Sequence, residues 1–280
     1  MSSAGPEGWA RLDVALVERG LARSRGHARD LVEAGRVRVD ERPARRPALR
    51  VGPGAEVAVE AGDAYVGRAA HKLLYALDAF APLGLEVAGR RCLDVGASTG
   101  GFTQVLLERG AREVVALDVG HGQLAAAVAD DPRVLERSGV NVRDVAPGDL
   151  GDPFDLVVGD LSFISLTLVV AALAGQVAPA GDLVLLVKPQ FEVGRVRLGK
   201  NGIVRSSSDR LDSVTRVVDA ARAAGLRALD VRASPLPGGG GNREYLGWFT
   251  AGDRPAPARV DLAERIARLD SGPTDDTEDA

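Results

Sequence analysis

Cysteine is almost missing from this 280-residue chain: Cys92 stands alone. No disulfide can form within the chain, which excludes a small disulfide-framed scaffold and makes a reducing compartment, the cytoplasm, the expected location. Cys92 lies in the apolar run 91–95, where a buried core thiol is expected rather than a nucleophile. Histidine is scarce as well. His27, His71 and His121 are isolated, so neither metal-ligand spacing nor a Ser-His-Asp order is present, and no metal is expected. The N-terminus, residues 1–9, lacks the charged-then-apolar pattern of a secretory signal. Long apolar runs are few. Residues 162–181 carry no charge and would be long enough to cross a bilayer. They also hold Ser162, Ser165, Thr167, Gln176 and Pro179 between Asp160 and Asp182, so a core-facing helix is expected and no membrane association.

Basic charge is in deficit overall, at a net −4, but it is unevenly spread. Residues 11–50 sum to +5 and the remainder to −9. A basic patch on an acidic protein points to a polyanion partner at that patch. The last residues, 270–280, hold five acids and no base, and an acidic, disordered tail is expected over 253–280. At 45% hydrophobic and 26% charged, the rest is globular and long enough for one large domain and one small one.

The small unit spans 11–64. Leu12, Ala15 and Leu16 recur at helical spacing up to Gly20. A second helix is expected from Ser24 as N-cap to Gly35 as C-cap. Val37 and Val39 then alternate with Arg36, Arg38 and Asp40 as in a half-buried strand, and 57–59 closes the unit. This order, with Arg11-Leu12-Asp13, Ala22-Arg23-Ser24-Arg25 and Ala34-Gly35-Arg36-Val37, resembles the RNA-binding domain first seen in ribosomal protein S-four. The resemblance implies that Arg11, Arg23, Arg25, Arg29, Arg36 and Arg38 hold RNA, and guanidinium forks suit phosphate geometry. A merely solvated basic face is the alternative.

Residues 65–72 form an expected linker, and 73–252 a second domain. Apolar strands are expected at 91–95, 114–118, 155–159 and 183–187, with late strands at 229–233 and 245–249. Helices are expected at 102–109 and 206–224, the latter with Leu211, Val214, Val217, Val218 and Ala221 on one face. Alternating strands and helices imply an α/β fold, a mostly parallel Rossmann-like sheet covered on both faces, with its ligand at the carboxyl ends of the strands. Gly96, Ala97, Ser98, Thr99, Gly100, Gly101 and Phe102 lie where the first strand turns into a helix. The turn departs from G-x-G-x-x-G because Ser98 takes the second glycine position. Asp118, 22 residues after Gly96, can accept the hydroxyls of an adenosine ribose. Asp94, just before the turn, would repel a pyrophosphate and attract an ammonium, which favours S-adenosylmethionine over a dinucleotide.

Four charged residues complete the pattern. Asp160 and Lys188 each follow an apolar strand and must converge on one cleft. With Tyr65-Val66-Gly67-Arg68, His71-Lys72-Leu73, 93–102, Gly159-Asp160-Leu161-Ser162-Phe163, Lys188-Pro189-Gln190-Phe191-Glu192 and Gly241-Asn242-Arg243-Glu244-Tyr245, the chain resembles the TlyA family, S-adenosylmethionine-dependent rRNA 2′-O-methyltransferases sometimes labelled hemolysins, and their FtsJ-like relatives. The resemblance implies a catalytic tetrad of Lys72, Asp160, Lys188 and Glu244, methylation of cytidine ribose in rRNA, ribosomal subunits as partner, and a monomer. Ala69-Ala70 departs from the two glycines many relatives carry. Lys188 could act as general base or as stabiliser of the alkoxide. Two alternatives remain: a membrane-lytic protein, supported only by 162–181, and a non-catalytic RNA-binding assembly factor. Residues 191–205, rich in Gly and Arg, suggest a mobile lid or a plain surface loop.

Overall fold

The computed structural model describes residues 8–22, 24–33, 35–59, 65–194, 197–199, 202–253 and 259–270. They fall into two compact units, Met1–Tyr65 and Val66–Ala280.

In the first unit, helix α1 (Leu12–Glu18) follows β1 (Ala10–Arg11) and packs on α2 (Arg25–Glu33). Ser24 caps α2, its Oγ accepting from His27 N at 3.2 Å. Strand β2 (Val37–Val39) pairs antiparallel with β3 (Arg42–Pro43) and β5 (Val57–Val59), while β4 (Arg50–Val51) pairs with β1. Leu12, Leu16, Leu31, Val32 and Val37 are buried in its core, on the faces their spacing predicts.

The second unit is built on seven strands: β6 (Arg91–Val95), β7 (Glu113–Asp118), β8 (Val134–Ser138), β9 (Phe154–Gly159), β10 (Val177–Val187), β11 (Arg227–Ala233) and β12 (Tyr245–Thr250), in the order β11-β12-β10-β9-β6-β7-β8. The five from β10 to β8 are parallel; β12 runs antiparallel to both of its neighbours, β10 and β11. The chain leaves β6 outward through β7 and β8, then returns to the other side of β6 with β9. That reversal opens a crevice at the carboxyl ends of β6 and β9. Helices α3 (Ala70–Phe80), α4 (Gly101–Glu108), α5 (Ala126–Ala129), α6 (Val170–Ala174), α7 (Pro189–Glu192), α8 (Ser207–Ala223) and α9 (Arg259–Arg268) complete the unit. Helix α8 buries Val214, Val217, Val218 and Ala221, with Ser206 as its N-cap. Cys92 is fully buried, and burial pushes its thiol up to about 12, consistent with a core role.

Three expectations are corrected. Residues 162–181 form no single helix: a 3-10 turn (Leu166–Leu168), the five-residue α6 and the start of β10 share the stretch. Gly175 and Pro179 sit among short apolar runs that suffice to cover the sheet but not to extend one helix. No helix among the described residues is long and apolar enough to cross a membrane. Residues 65–72 are not all linker, because α3 begins at Ala70 and carries Lys72. Residues 253–280 are not all tail. Leu262 and Ile266, one turn apart on α9, are buried in the core. Asp270 accepts from Tyr245 Oη at 2.6 Å and from Arg210 Nε and Ser207 Oγ at 2.8 Å. Burial would raise its carboxyl, but these bonds outweigh it and hold it below the ordinary carboxylate range. The acids at 275–279 lie outside the described residues.

Candidate active site

The site is a row across the strand ends. At one side, the backbone leaves β6 at Gly96, whose φ of 82° favours glycine. A Cβ there would also stand 2.9 Å from the Asp160 carbonyl oxygen, so the residue type is doubly set. Ser98 follows at φ 48°, a left-handed conformation costly for a non-glycine residue. Its N–H donates to Asp118 Oδ2 at 2.8 Å, and Gly120 N–H donates to Oδ1 at 2.8 Å. The carboxylate at the end of β7 thus braces the turn and keeps spare lone pairs toward a pocket lined by Ala97, Ser98, Asp118, Gln123, Glu136 and Ser138.

Asp94 lies beneath the turn, fully buried. Its Oδ2 accepts from Thr103 Oγ1 at 2.7 Å, while Oδ1 accepts nothing. Burial pushes its carboxyl up to about 7; the Thr103 bond opposes this and the charge of Asp160 adds to it. A buried carboxylate oxygen without a donor fits a ligand that brings one, as the ammonium of S-adenosylmethionine would. The remaining turn residues divide. Thr99 is exposed; Gly100, Gly101 and Phe102 are buried. Phe102 turns inward on α4. Glu136 and Ser138 line the pocket, and the sequence reading missed both; β8 is mostly exposed and gives little apolar pattern.

The catalytic candidates meet at the other side of the row. Lys188, extended at φ −115°, ends β10, and Pro189 starts α7 as its first residue, where a missing N–H costs nothing. Lys188 Nζ lies 2.7 Å from Asp160 Oδ1 and donates to Ser162 Oγ at 2.8 Å. Glu244 leads into β12, whose Tyr245 pairs with Val187, so the antiparallel register sets Glu244 beside Lys188. Lys72 comes from α3. Its Nζ donates to Glu244 Oε2 at 2.5 Å, with both side chains at most 5% exposed. Phe80 stacks on Trp248 at 5.4 Å, so α3 lies along β12. Eight residues of helix and four of strand both span about 12–13 Å, which keeps the two contacts in step. The Gly-rich loop before Glu244 passes so close that a methyl on Gly238 would overlap its carboxylate.

Two supporting residues stand in the sequence only within the motif runs, with no role assigned. Glu192 accepts from Ser165 Oγ at 2.5 Å and Leu166 N at 2.8 Å, tying α7 to the segment after Asp160. Asn242 accepts from Val204 N and donates to Gly202 O, both at 3.0 Å, which anchors the end of the expected lid. Arg195 and Lys200 of that segment lie outside the described residues. Phe163, at φ 64° and 91% exposed, stands against Phe191 at 5.3 Å.

In the first unit, Arg11, Arg25 and Arg29 converge on Asp13. Arg11 Nε lies at 2.9 Å, Arg25 at 3.0 Å and Arg29 at 4.0 Å from its oxygens. The Arg11 hydrogen bond leads in lowering the Asp13 carboxyl to about 2, against burial. One buried carboxylate therefore holds three exposed guanidiniums in place. Arg38 is turned to the Glu41 carbonyl and Arg36 is half-buried, so neither joins that cluster. Arg23 lies outside the described residues.

Comparison with known proteins agrees with this fold. An S4 domain profile matches residues 10–57 and an FtsJ-like methyltransferase profile matches residues 65–251. A Mycobacterium tuberculosis protein named 16S/23S rRNA (cytidine-2′-O)-methyltransferase TlyA is 51% identical over 253 residues, 89% of this chain and 93% of its own length. A Brachyspira hyodysenteriae protein named Hemolysin A is 35% identical over 85% of this chain and 99% of its own. A solved structure of a Streptococcus thermophilus protein named as a hemolysin covers 94% of this chain and 96% of its own, at TM-score 0.72 and 36% identity. With an FtsJ-like profile over residues 65–251 and 51% identity over 253 residues to a TlyA protein, the chain belongs to the FtsJ-like methyltransferase family.

Proposed function

We propose that this chain transfers a methyl group from S-adenosylmethionine to the ribose 2′-oxygen of a cytidine in ribosomal RNA. The observation that carries the reading is the order of groups along the strand ends: Asp118 on β7, Asp94 on β6, the Lys188–Asp160 pair on β10 and β9, and the Lys72–Glu244 pair at β12. A methyl donor bound over β6 and β7 puts its reactive end beside Lys188. The cofactor supplies an electrophilic methyl on a sulfonium.

The rest falls to the chain's own residues. Asp94 Oδ1 takes the amino group of the donor, and Asp118 its ribose hydroxyls. Lys188, as one half of an ion pair with Asp160, donates a hydrogen bond to the 2′-oxygen and holds the negative charge that develops as it attacks; the hydroxyl proton passes to the Asp160 carboxylate as the oxygen–methyl bond forms and the methyl–sulfur bond breaks. This favours the alkoxide-stabilising role over the general base. Glu244 and Lys72 fix the far wall of the cleft. Phe163 presents a flat face of the kind nucleobases stack on. The arginine cluster around Asp13 supplies phosphate contacts, and action on ribosomal subunits as a monomer places the protein in the cytoplasm. The lytic reading loses the support of 162–181, which forms no membrane-spanning helix. The test is nucleoside analysis of rRNA from cells with and without this chain: 2′-O-methylcytidine present only with it supports the reading, and methylation on the base overturns it.

A further inference from the structure

Three oxygen atoms at the site are buried and accept no hydrogen bond: Asp94 Oδ1, Asp160 Oδ1 and Gln190 Oε1. Unsatisfied buried acceptors are rare in folded proteins, because each forfeits its bonds to water. Asp94 serves the cofactor end of the row, and Asp160 Oδ1 has the Lys188 ammonium 2.7 Å away. Gln190 Oε1 has neither role. Gln190 sits two residues past Lys188 on α7, and its Nε2 donates to Glu244 Oε1 at 3.4 Å. That contact fixes the amide orientation, since the reverse would set two acceptors against each other. The planar amide then turns Oε1 away from Glu244. Lys72 holds the other carboxylate oxygen, so the whole group is braced.

In the strand order, β10 and β12 lie on the side of β9 opposite to β7 and β8. A donor for Gln190 therefore comes from the acceptor nucleotide and not from the methyl donor. Lys188 already serves the 2′-oxygen, and the next donor group of a nucleotide along the row is on its base. We propose that Gln190 Oε1 accepts a hydrogen bond from the exocyclic amine of the target cytosine, making Gln190 a specificity-determining residue. Uracil presents a carbonyl at the same position and would face Oε1 acceptor to acceptor. The proposal rests on the ribose-methylation reading above.

The experiment compares the full-length wild type and Gln190→Met on ribosomal subunits carrying either cytidine or uridine at the mapped target position. It measures kcat/KM for both substrates and S-adenosylmethionine affinity by calorimetry. Wild type is expected to favour cytidine at least tenfold, the scale of one lost hydrogen bond to a specific site. Gln190→Met should keep cofactor affinity, lose about tenfold on cytidine, and bring the preference close to one. An equal loss on both substrates, with the preference kept, would mean that Gln190 only braces Glu244 or meets the ribose hydroxyl, and overturns the assignment. Unchanged rates overturn it as well. Failure of wild type to methylate either substrate would instead count against the ribose-methylation reading itself.

Discussion

Replacing Asp94 with Asn should make the protein more stable and less able to bind its cofactor. In the folded chain the Asp94 carboxyl is raised by burial from 3.8 to about 7. Between those values the folded chain keeps a proton that the unfolded chain has released. Stability from this group is therefore full at low pH, falls as pH rises through that window, and levels off above it. At about 1.4 kcal/mol per unit, the roughly three units amount to about 4 kcal/mol, of which roughly 2–3 kcal/mol falls between pH 5 and pH 8. Asp94→Asn keeps the shape and the Thr103 contact but removes the titration. Its stability advantage over wild type should widen by that roughly 2–3 kcal/mol between pH 5 and pH 8, read from urea unfolding at each pH. Calorimetry at pH 8 should show S-adenosylmethionine binding roughly 10- to 150-fold weaker, the loss of one charge-assisted hydrogen bond of about 1.5–3 kcal/mol. Stability curves that run parallel with pH, or unchanged cofactor affinity, would refute the reasoning.

The Lys72–Glu244 pair is enclosed, so Lys72→Met should cost about 3–5 kcal/mol in urea unfolding by stranding a buried carboxylate. Adding Glu244→Gln should restore much of that stability without restoring turnover, and a double variant no more stable than the single one would contradict the pairing. Arg25→Ala removes one guanidinium from the Asp13 cluster. It should leave cofactor affinity unchanged, weaken subunit binding and make the dependence of log K on log salt shallower by about one; an unchanged slope would show that the cluster is only solvated.

What was legible followed from burial. The strands at 91–95, 155–159 and 183–187 are mostly apolar because both of their faces are covered, and Asp160 and Lys188 stand out as the charges that follow two of them. Lys72 and Glu244 were not placeable from spacing. They lie 172 positions apart and meet through the packing of α3 along β12, so only the family resemblance linked them. Strand β8 has mostly exposed residues and left no periodic signal. Among its described side chains, helix α9 buries Leu262 and Ile266 between charged neighbours, and the acids that follow make the region look unstructured. Asp13 is legible in the sequence only as part of a pattern. Arg11-Leu12-Asp13 placed it two residues from an arginine, but the arrival of Arg25 and Arg29 depends on the packing of α1 on α2.

The most direct measurement is single-turnover transfer of a labelled methyl group from S-adenosylmethionine to ribosomal subunits by wild type and Lys188→Ala, with cofactor and subunit affinities measured alongside. In the proposed mechanism Lys188 meets the 2′-oxygen where charge develops, which puts its role in the transition state. The account predicts that the variant binds both ligands nearly as wild type and transfers the methyl group roughly 10²–10⁴-fold more slowly, as expected for loss of a positioned charge-stabilising group. Transfer at near wild-type rate would contradict it, leaving Lys188 and Asp160 as an ion pair that only closes the strand ends.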